Sequence, residues 1–257
     1  HDALVTDRAG ITKVYEAVTQ YLGFHAIEAG KTMGLAAYGK DQPHQSLFHD
    51  DRPVDSLFIH DYFPTKSETK SFSVLHKKHV NKITLDVPES DYQFYADYAY
   101  QVQKQTQEQV LNLVKTWVAA TGIKQVCLSG GYFMNVVTNA YLVKNLPDVN
   151  FYFEPLADDT GLSIGKALHF YHTMTQSTEV NKLENIFFHG VKDNTPVDGE
   201  TCTTEDIANL LSEQKIVAVY NGLAEAGQRA LGNRSILFDA RNKEAKNIVN
   251  SVKNREW

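Results

Sequence analysis

Two arginines, Arg229 and Arg234, lie in the glycine-flexed stretch Glu225-Ala226-Gly227-Gln228-Arg229-Ala230-Leu231-Gly232-Asn233-Arg234-Ser235. Guanidinium groups paired at such a place grip a phosphate or a carboxylate through bidentate bonds. Two exposed surface arginines would give the same letters. A second run, Ser129-Gly130-Gly131 followed by Asn135, leaves a strand and enters a helix. Unpaired N–H groups and missing Cβ atoms there would let a nucleotide phosphate approach, although a plain strand-to-helix turn also uses glycines. A third, Glu154-Pro155-Leu156-Ala157-Asp158-Asp159-Thr160-Gly161, sets adjacent carboxylates at a helix start. They could hold a hard cation or simply cap the helix. The fourth runs over residues 30–39, Gly-Lys-Thr-Met-Gly-Leu-Ala-Ala-Tyr-Gly, and carries Lys31. Three histidine groupings, His76 with His79, His169 with His172, and His1 beside Asp2, lack a third ligand and are set aside as metal sites.

These segments sit at turns between periodic elements. Val14, Ala17, Val18, Tyr21 and Leu22 have helical spacing, after which residues 30–39 read as a glycine-rich loop. Strand-like composition appears at residues 56–62 and 82–87. Residues 90–121 read as one long helix ended by Gly122, followed by a strand at 124–128, a helix at 133–144, a strand at 150–154 and a helix at 162–173. Repetition of strand, turn and helix predicts an α/β sheet whose strand ends carry the site. Residues 175–200 lose periodicity and read as a connection. Thr203 then caps a helix, residues 216–220 read as a buried strand and 235–239 as another, and a last helical pattern from Ala245 runs to the chain end.

The chain has 257 residues, 42% of them hydrophobic and 22% charged, which is an ordinary globular composition large enough for one or two domains. A formal net charge of −6 gives no global attraction for nucleic acid, and no apolar run approaches a membrane span. Cys127 and Cys202 fit neither a disulfide framework nor a zinc pattern and read as reduced thiols, so a cytoplasmic location is expected.

Taken in order, the four segments resemble the NodU/CmcH family of O-carbamoyltransferases, to which the tobramycin carbamoyltransferase also belongs. That family carries KxMGLAAYG, SGG(V/Y)xxN, PxxxDxG and EFGPRALGNRSIL segments, and each is recognisable here between Val14 and Trp257. The resemblance implies the second lobe of a Kae1-like domain of the actin/Hsp70/sugar-kinase, RNase H-like type over residues 1–176. A linker over 177–202 and the beginning of a YrdC-like α/β domain over 203–257 would follow. The chain is accordingly expected to be a fragment, inactive by itself. The family's upstream His-x-x-x-His metal pair is expected before His1, and the second domain is expected to continue beyond Trp257.

By the same resemblance, ATP and carbamoyl phosphate form a carbamoyl-adenylate, and the carbamoyl group passes to a hydroxyl of a small-molecule or sugar acceptor. Arg229 and Arg234 match the family's catalytic motif arginines, which would hold carbamoyl phosphate or the ATP phosphates. Lys31, Ser129, Gly130, Gly131 and Asn135 match nucleotide-binding positions. Asp159 matches a ligand of a divalent metal, Fe(II), whose histidines are not in this chain. No nucleic acid or membrane partner is implied, and a homodimer is left open. Ala226 and Gln228 stand where the family has Phe and Pro. Proline would fix φ at about −65°, so Gln228 leaves the orientation of Arg229 unset by the backbone. A threonylcarbamoyl-adenosine or hydrogenase-maturation type transferase shares both folds, but the acidic charge and the missing zinc-finger cysteines disfavour it. A catalytically silent nucleotide-binding module is the alternative from another class.

Overall fold

The first helix buries one stripe: in α1 (Ile11–Tyr21), Val14 and Val18 face inward four residues apart and are almost fully buried, as is Leu22 just after it. The computed structural model describes residues 10–42, 47–48, 89–179, 187–188 and 198–255. The strands expected at 56–62 and 82–87 lie outside the described residues. A short 3-10 turn, Ala26–Glu28, leads into α2 (Ala29–Ala36). Residues 29–36 are therefore helix rather than the expected loop. Two causes outweigh the roughly 1 kcal/mol that each interior glycine costs a helix. The Glu28 carboxylate closes the preceding turn by accepting the His25 N–H at 2.7 Å, and Thr32, Leu35 and Ala36 are buried. The helix α3 (Glu89–Thr121) packs against both α1 and α2, with Ala96, Ala99 and Val102 fully buried.

A parallel pair follows, β1 (Gln125–Leu128) beside β2 (Asn150–Phe153), in register from Gln125 opposite Asn150 to Leu128 opposite Phe153. Between them runs α4 (Val136–Asn145), which packs on α3. A parallel pair needs such a crossover, and the helix supplies it. These elements form the first of two compact units, His1–Leu128 with Asn135–Phe153.

The second unit comprises Ser129–Met134 and Glu154–Trp257. It contains α5 (Leu162–Thr175), β3 (Phe187–Phe188), α6 (Thr204–Ser212), β4 (Val217–Tyr220), β5 (Ala224–Glu225), β6 (Arg234–Leu237) and α7 (Ala245–Lys253). β3 pairs with β5 and β4 with β6, both antiparallel. Helix α6 starts in a capping box: the Thr203 hydroxyl accepts the Asp206 N–H at 3.2 Å, and the Asp206 carboxylate accepts the Thr203 N–H at 2.8 Å.

Two expectations are corrected in this unit and one is filled in. Strand β4 is not buried but alternates between half-buried and exposed positions, with Tyr220 59% exposed. The hydrophobic run that suggested burial is a one-faced antiparallel strand. The segment read as a connection carries the two residues of β3. The last helix stops at Lys253, because Asn254 takes a left-handed conformation at φ 50°. The architecture as a whole is mixed helix and strand.

Candidate functional site

Three of the four segments meet inside the second unit. Beyond β1 the chain enters Ser129-Gly130-Gly131, where Gly130 sits at φ 103°, a conformation closed to most side chains. A 3-10 turn, Gly131–Met134, comes next, tied by the Phe133 N–H donating to the Gly130 carbonyl at 2.9 Å. The helix expected from residue 133 starts instead at Val136, capped by Asn135. Asparagine is among the best N-caps, and it sets the boundary three residues late. The glycines thus lead into a short 3-10 turn that Gly131 opens, not into the α-helix terminus. Gly131 itself is not at positive φ, and a Cβ added there would meet only the Met134 methyl at 4.0 Å. Neither backbone conformation nor packing demands glycine at that position.

The arginine loop folds onto this turn. Arg229 donates from Nη2 to the Met134 carbonyl at 2.6 Å. Two residues earlier, Gly227 has φ 87°, and a Cβ there would lie 2.4 Å from the Pro155 carbonyl oxygen, so only glycine fits. Gln228, which stands where the resemblance expects proline, donates from its amide to the Asp158 carboxylate. Its orientation is therefore set by a side-chain bond instead of a ring. The Thr160 hydroxyl and N–H also donate to Asp158. Together with the Gln228 amide and the residue's own backbone, the hydroxyl foremost, they outweigh desolvation and hold that carboxyl below the usual aspartate range.

Glu225 was not singled out by its sequence. One of its oxygens, Oε1, accepts the backbone N–H groups of Leu231 at 2.8 Å, Asn233 at 2.5 Å and Arg234 at 3.2 Å. Desolvation pushes its carboxyl upward, but the bonds from Asn233, Leu231 and Arg234 and the Arg234 charge outweigh it, leaving the group below the ordinary glutamate range. The available signal was an acidic residue just ahead of a glycine-rich loop with no ladder to satisfy its N–H groups.

Arg234 lies differently from Arg229. Its Nη1 donates to the carbonyls of Asn221 at 2.8 Å and Asn233 at 2.7 Å, its Nη2 donates to Gly222 at 3.3 Å, and its guanidinium stacks 3.5 Å from the Tyr220 ring centroid. These contacts pin the chain on either side of the β4–β6 pair. Asp159 opens the exposed turn ahead of α5, while its neighbour Asp158 is the capping residue.

Lys31 and Asn135 belong to the first unit. Lys31 pairs with Glu28 at 2.9 Å and lies 5.7 Å from the Phe24 ring centroid, bracing the start of α2. Asn135 is buried, and its Oδ1 accepts the Thr138 N–H at 3.0 Å. Its Nδ2 donates to Gln103 Oε1 at 2.8 Å, an atom that also accepts the Tyr15 hydroxyl at 2.9 Å. His172 donates from Nδ1 to the Ser177 carbonyl, 2.9 Å away, and both cysteines are exposed and unbridged. His1, His76 and His79 lie outside the described residues. Among the described residues no three His, Cys, Asp or Glu side chains gather as a metal-binding group, and none of the helices is long and apolar enough to cross a membrane.

Comparison with known proteins gives this arrangement a family. A protein called NolNO in nodulation, from Sinorhizobium fredii, is 28% identical over 265 residues, covering 95% of this chain and 37% of that protein. The Synechocystis protein sll1178 is 29% identical, covering 95% of this chain and 44% of its own length. Nodulation protein U of Azorhizobium caulinodans is 30% identical over 136 residues, covering 52% of this chain and 24% of that protein. The chain thus spans less than half the length of these relatives. The family profile described as the carbamoyltransferase C-terminus matches residues 208–257, which hold the arginine loop. The profile described as the carbamoyltransferase N-terminus matches residues 2–168, which hold the other three segments, and with so much of its length accounted for the chain belongs to the carbamoyltransferase family.

Proposed function

We propose that this chain is the part of an O-carbamoyltransferase in which a Kae1-like second lobe, residues 1–176, runs through a linker into the start of a YrdC-like domain at residue 203. The reaction is transfer of a carbamoyl group from carbamoyl phosphate, through an ATP-dependent carbamoyl-adenylate, to a hydroxyl of a small-molecule or sugar acceptor. The observation that carries this reading is the Arg229 guanidinium, tethered to the Met134 carbonyl beside the Gly130–Gly131 turn. It sets a fixed positive charge against backbone that a phosphate can approach closely.

A carbamoyl carbon is deactivated by its nitrogen lone pair, so a neutral alcohol attacks it only when the leaving group is good and its charge is neutralised. ATP is the co-substrate that supplies such a leaving group. Ser129, Gly130 and Gly131 would hold its phosphates, and the open space at Gly131 fits that task. Arg229 would orient carbamoyl phosphate and stabilise charge developing on the phosphate. Arg234, bonded to three carbonyls, would hold the loop in shape. Asn135 and Lys31 would act at a remove, by fixing the ends of α4 and α2. The donor set does not fit a closed Fe(II) site on this chain's described residues, since Asp159 is a lone carboxylate and imidazoles supply much of the affinity for such metals. No step is therefore assigned to a metal.

The test is carbamoyl-phosphate-dependent release of pyrophosphate from ATP by the full-length protein and its Arg229→Ala variant. Loss of a charge-assisted contact, worth roughly 1.5–3 kcal/mol, should slow the step by at least about tenfold. A wild-type rate in the variant would remove Arg229 from the phosphate site. Absence of carbamoylated alcohol by mass spectrometry across sugar and small-molecule acceptors would reject the transfer itself.

A further inference from the structure

Glu225, the last residue of β5, carries a carboxylate that the proposed chemistry leaves unused. The residue's backbone pairs with Phe187 in the β3–β5 ladder, while its side chain turns to the loop that follows. Its Oε1 gathers three donors, the N–H groups of Leu231, Asn233 and Arg234, while the Gly232 N–H between them donates to the Ser235 hydroxyl. Loops of this kind have many backbone conformations of similar energy, because their N–H groups can all turn to water. A single charged acceptor shared by three of them selects one, since bonds to a carboxylate are about twice as strong as neutral ones. At the other end the loop is fixed by Gly227 against the Pro155 carbonyl and by Gln228 on Asp158. Arg229 lies between these two anchorages.

We propose that Glu225 is the positioning residue of the arginine loop, holding the backbone that presents Arg229 to an anion. The identity of that anion as carbamoyl phosphate rests on the function proposed above. Glu225 touches no reacting atom, and its sign makes the role separable from simple electrostatics. A negative charge in the arginine loop weakens anion binding through space, so its removal alone should tighten binding. A positioning role predicts the reverse for a truncated side chain, and no loss for one that keeps the acceptor oxygen.

The test uses the 257-residue chain with Glu225→Ala and Glu225→Gln, followed by amide hydrogen exchange and by calorimetric titration with carbamoyl phosphate. In Glu225→Ala the amides of Leu231, Asn233 and Arg234 should exchange at least about tenfold faster while those of α6 and α7 stay within about twofold, and the Kd should rise about tenfold. In Glu225→Gln, whose Oε1 can still accept these donors, the Kd should stay within about threefold of wild type or improve. Tighter binding by both variants would assign Glu225 to charge alone and overturn the proposal. Unchanged exchange at the three amides in Glu225→Ala would overturn it as well, and faster exchange spread across α6 and α7 would replace it with a general stability role. If the wild-type chain binds no carbamoyl phosphate, the exchange pattern decides the positioning by itself, and pyrophosphate release by the full-length protein decides the carbamoyl phosphate reading.

Discussion

Substituting Gly131 by alanine separates the ligand's need for space from the protein's own. The site has no positive φ, and the new methyl would find only the Met134 Cε, at 4.0 Å, an ordinary contact. Alanine there narrows the unfolded ensemble without straining the folded one, so stability should change by less than about 1 kcal/mol and toward greater stability. Gly130→Ala is the contrast. It too meets nothing within 4 Å, but φ 103° is disfavoured for alanine and should cost about 1–3 kcal/mol. If phosphate approaches the backbone at Gly131, the methyl group occupies its place, and affinity for ATP and carbamoyl phosphate should fall by about tenfold, or about 1.4 kcal/mol. Urea titration gives the stabilities and calorimetry the affinities. Binding within about twofold of wild type by a stable Gly131→Ala chain would refute the reasoning. A destabilisation beyond about 1.5 kcal/mol would show that the surroundings of Gly131 are not open.

Further outcomes follow from the same geometry. Arg234→Ala should loosen the β4–β6 pair, reducing the stability of the second unit by about 1–2 kcal/mol in urea, because three carbonyls lose a partly exposed donor. Arg234→Lys should recover little, since an ammonium cannot span the same carbonyls or stack on Tyr220. Asn135→Ala removes a cap, about 1 kcal/mol, and leaves the Gln103 amide short of a partner, about 1–3 kcal/mol more; the first unit should lose about 2–4 kcal/mol by chemical denaturation. The backbone bond from Thr203, and next its hydroxyl, hold the Asp206 carboxyl below the ordinary aspartate range. A depressed folded value means that this capping contribution is present above the unfolded pKa and lost as pH falls through the folded one. Circular dichroism melts on the acid limb should therefore show a shallower loss for Asp206→Asn than for the wild type.

The long helix was readable because Tyr98, Val102, Val110 and Val114 recur at helical spacing over many turns, and all four are buried. Helix α2 was not readable, since Gly30 and Gly34 suggest a turn, and the burial of Thr32 and Leu35 that overrides them depends on chain more than 50 residues away in sequence. The arginines were visible as types, but their difference was not. Arg234 finds carbonyls 12 and 13 residues back, and Arg229 finds one 95 residues back. Asn135 was legible as a polar residue of a motif, whereas its partner Gln103 is one of several glutamines along α3 with nothing local to mark it. Glu225 escaped because its three donors stand six, eight and nine residues later in irregular chain, a spacing that corresponds to no helical or strand period.

The 33 residues of α3 make a rod of roughly 50 Å. Aliphatic stripes alone index such a rod poorly, since a slide of one turn, about 5.4 Å, brings similar side chains back into similar hollows. Gln103 acts as the key in that slot. Its amide donates to Thr138 Oγ1 at 3.1 Å, and its carbonyl receives both Tyr15 and Asn135, so the axial setting of α3 is fixed against α1 and α4 at once. A slipped helix would strand several buried polar atoms, at about 1–3 kcal/mol each. Replacing Gln103 together with its three partners by apolar residues of matching size should preserve compactness while removing the detent, giving a chain that is as hard to unfold but no longer restricted to one longitudinal setting of its longest helix.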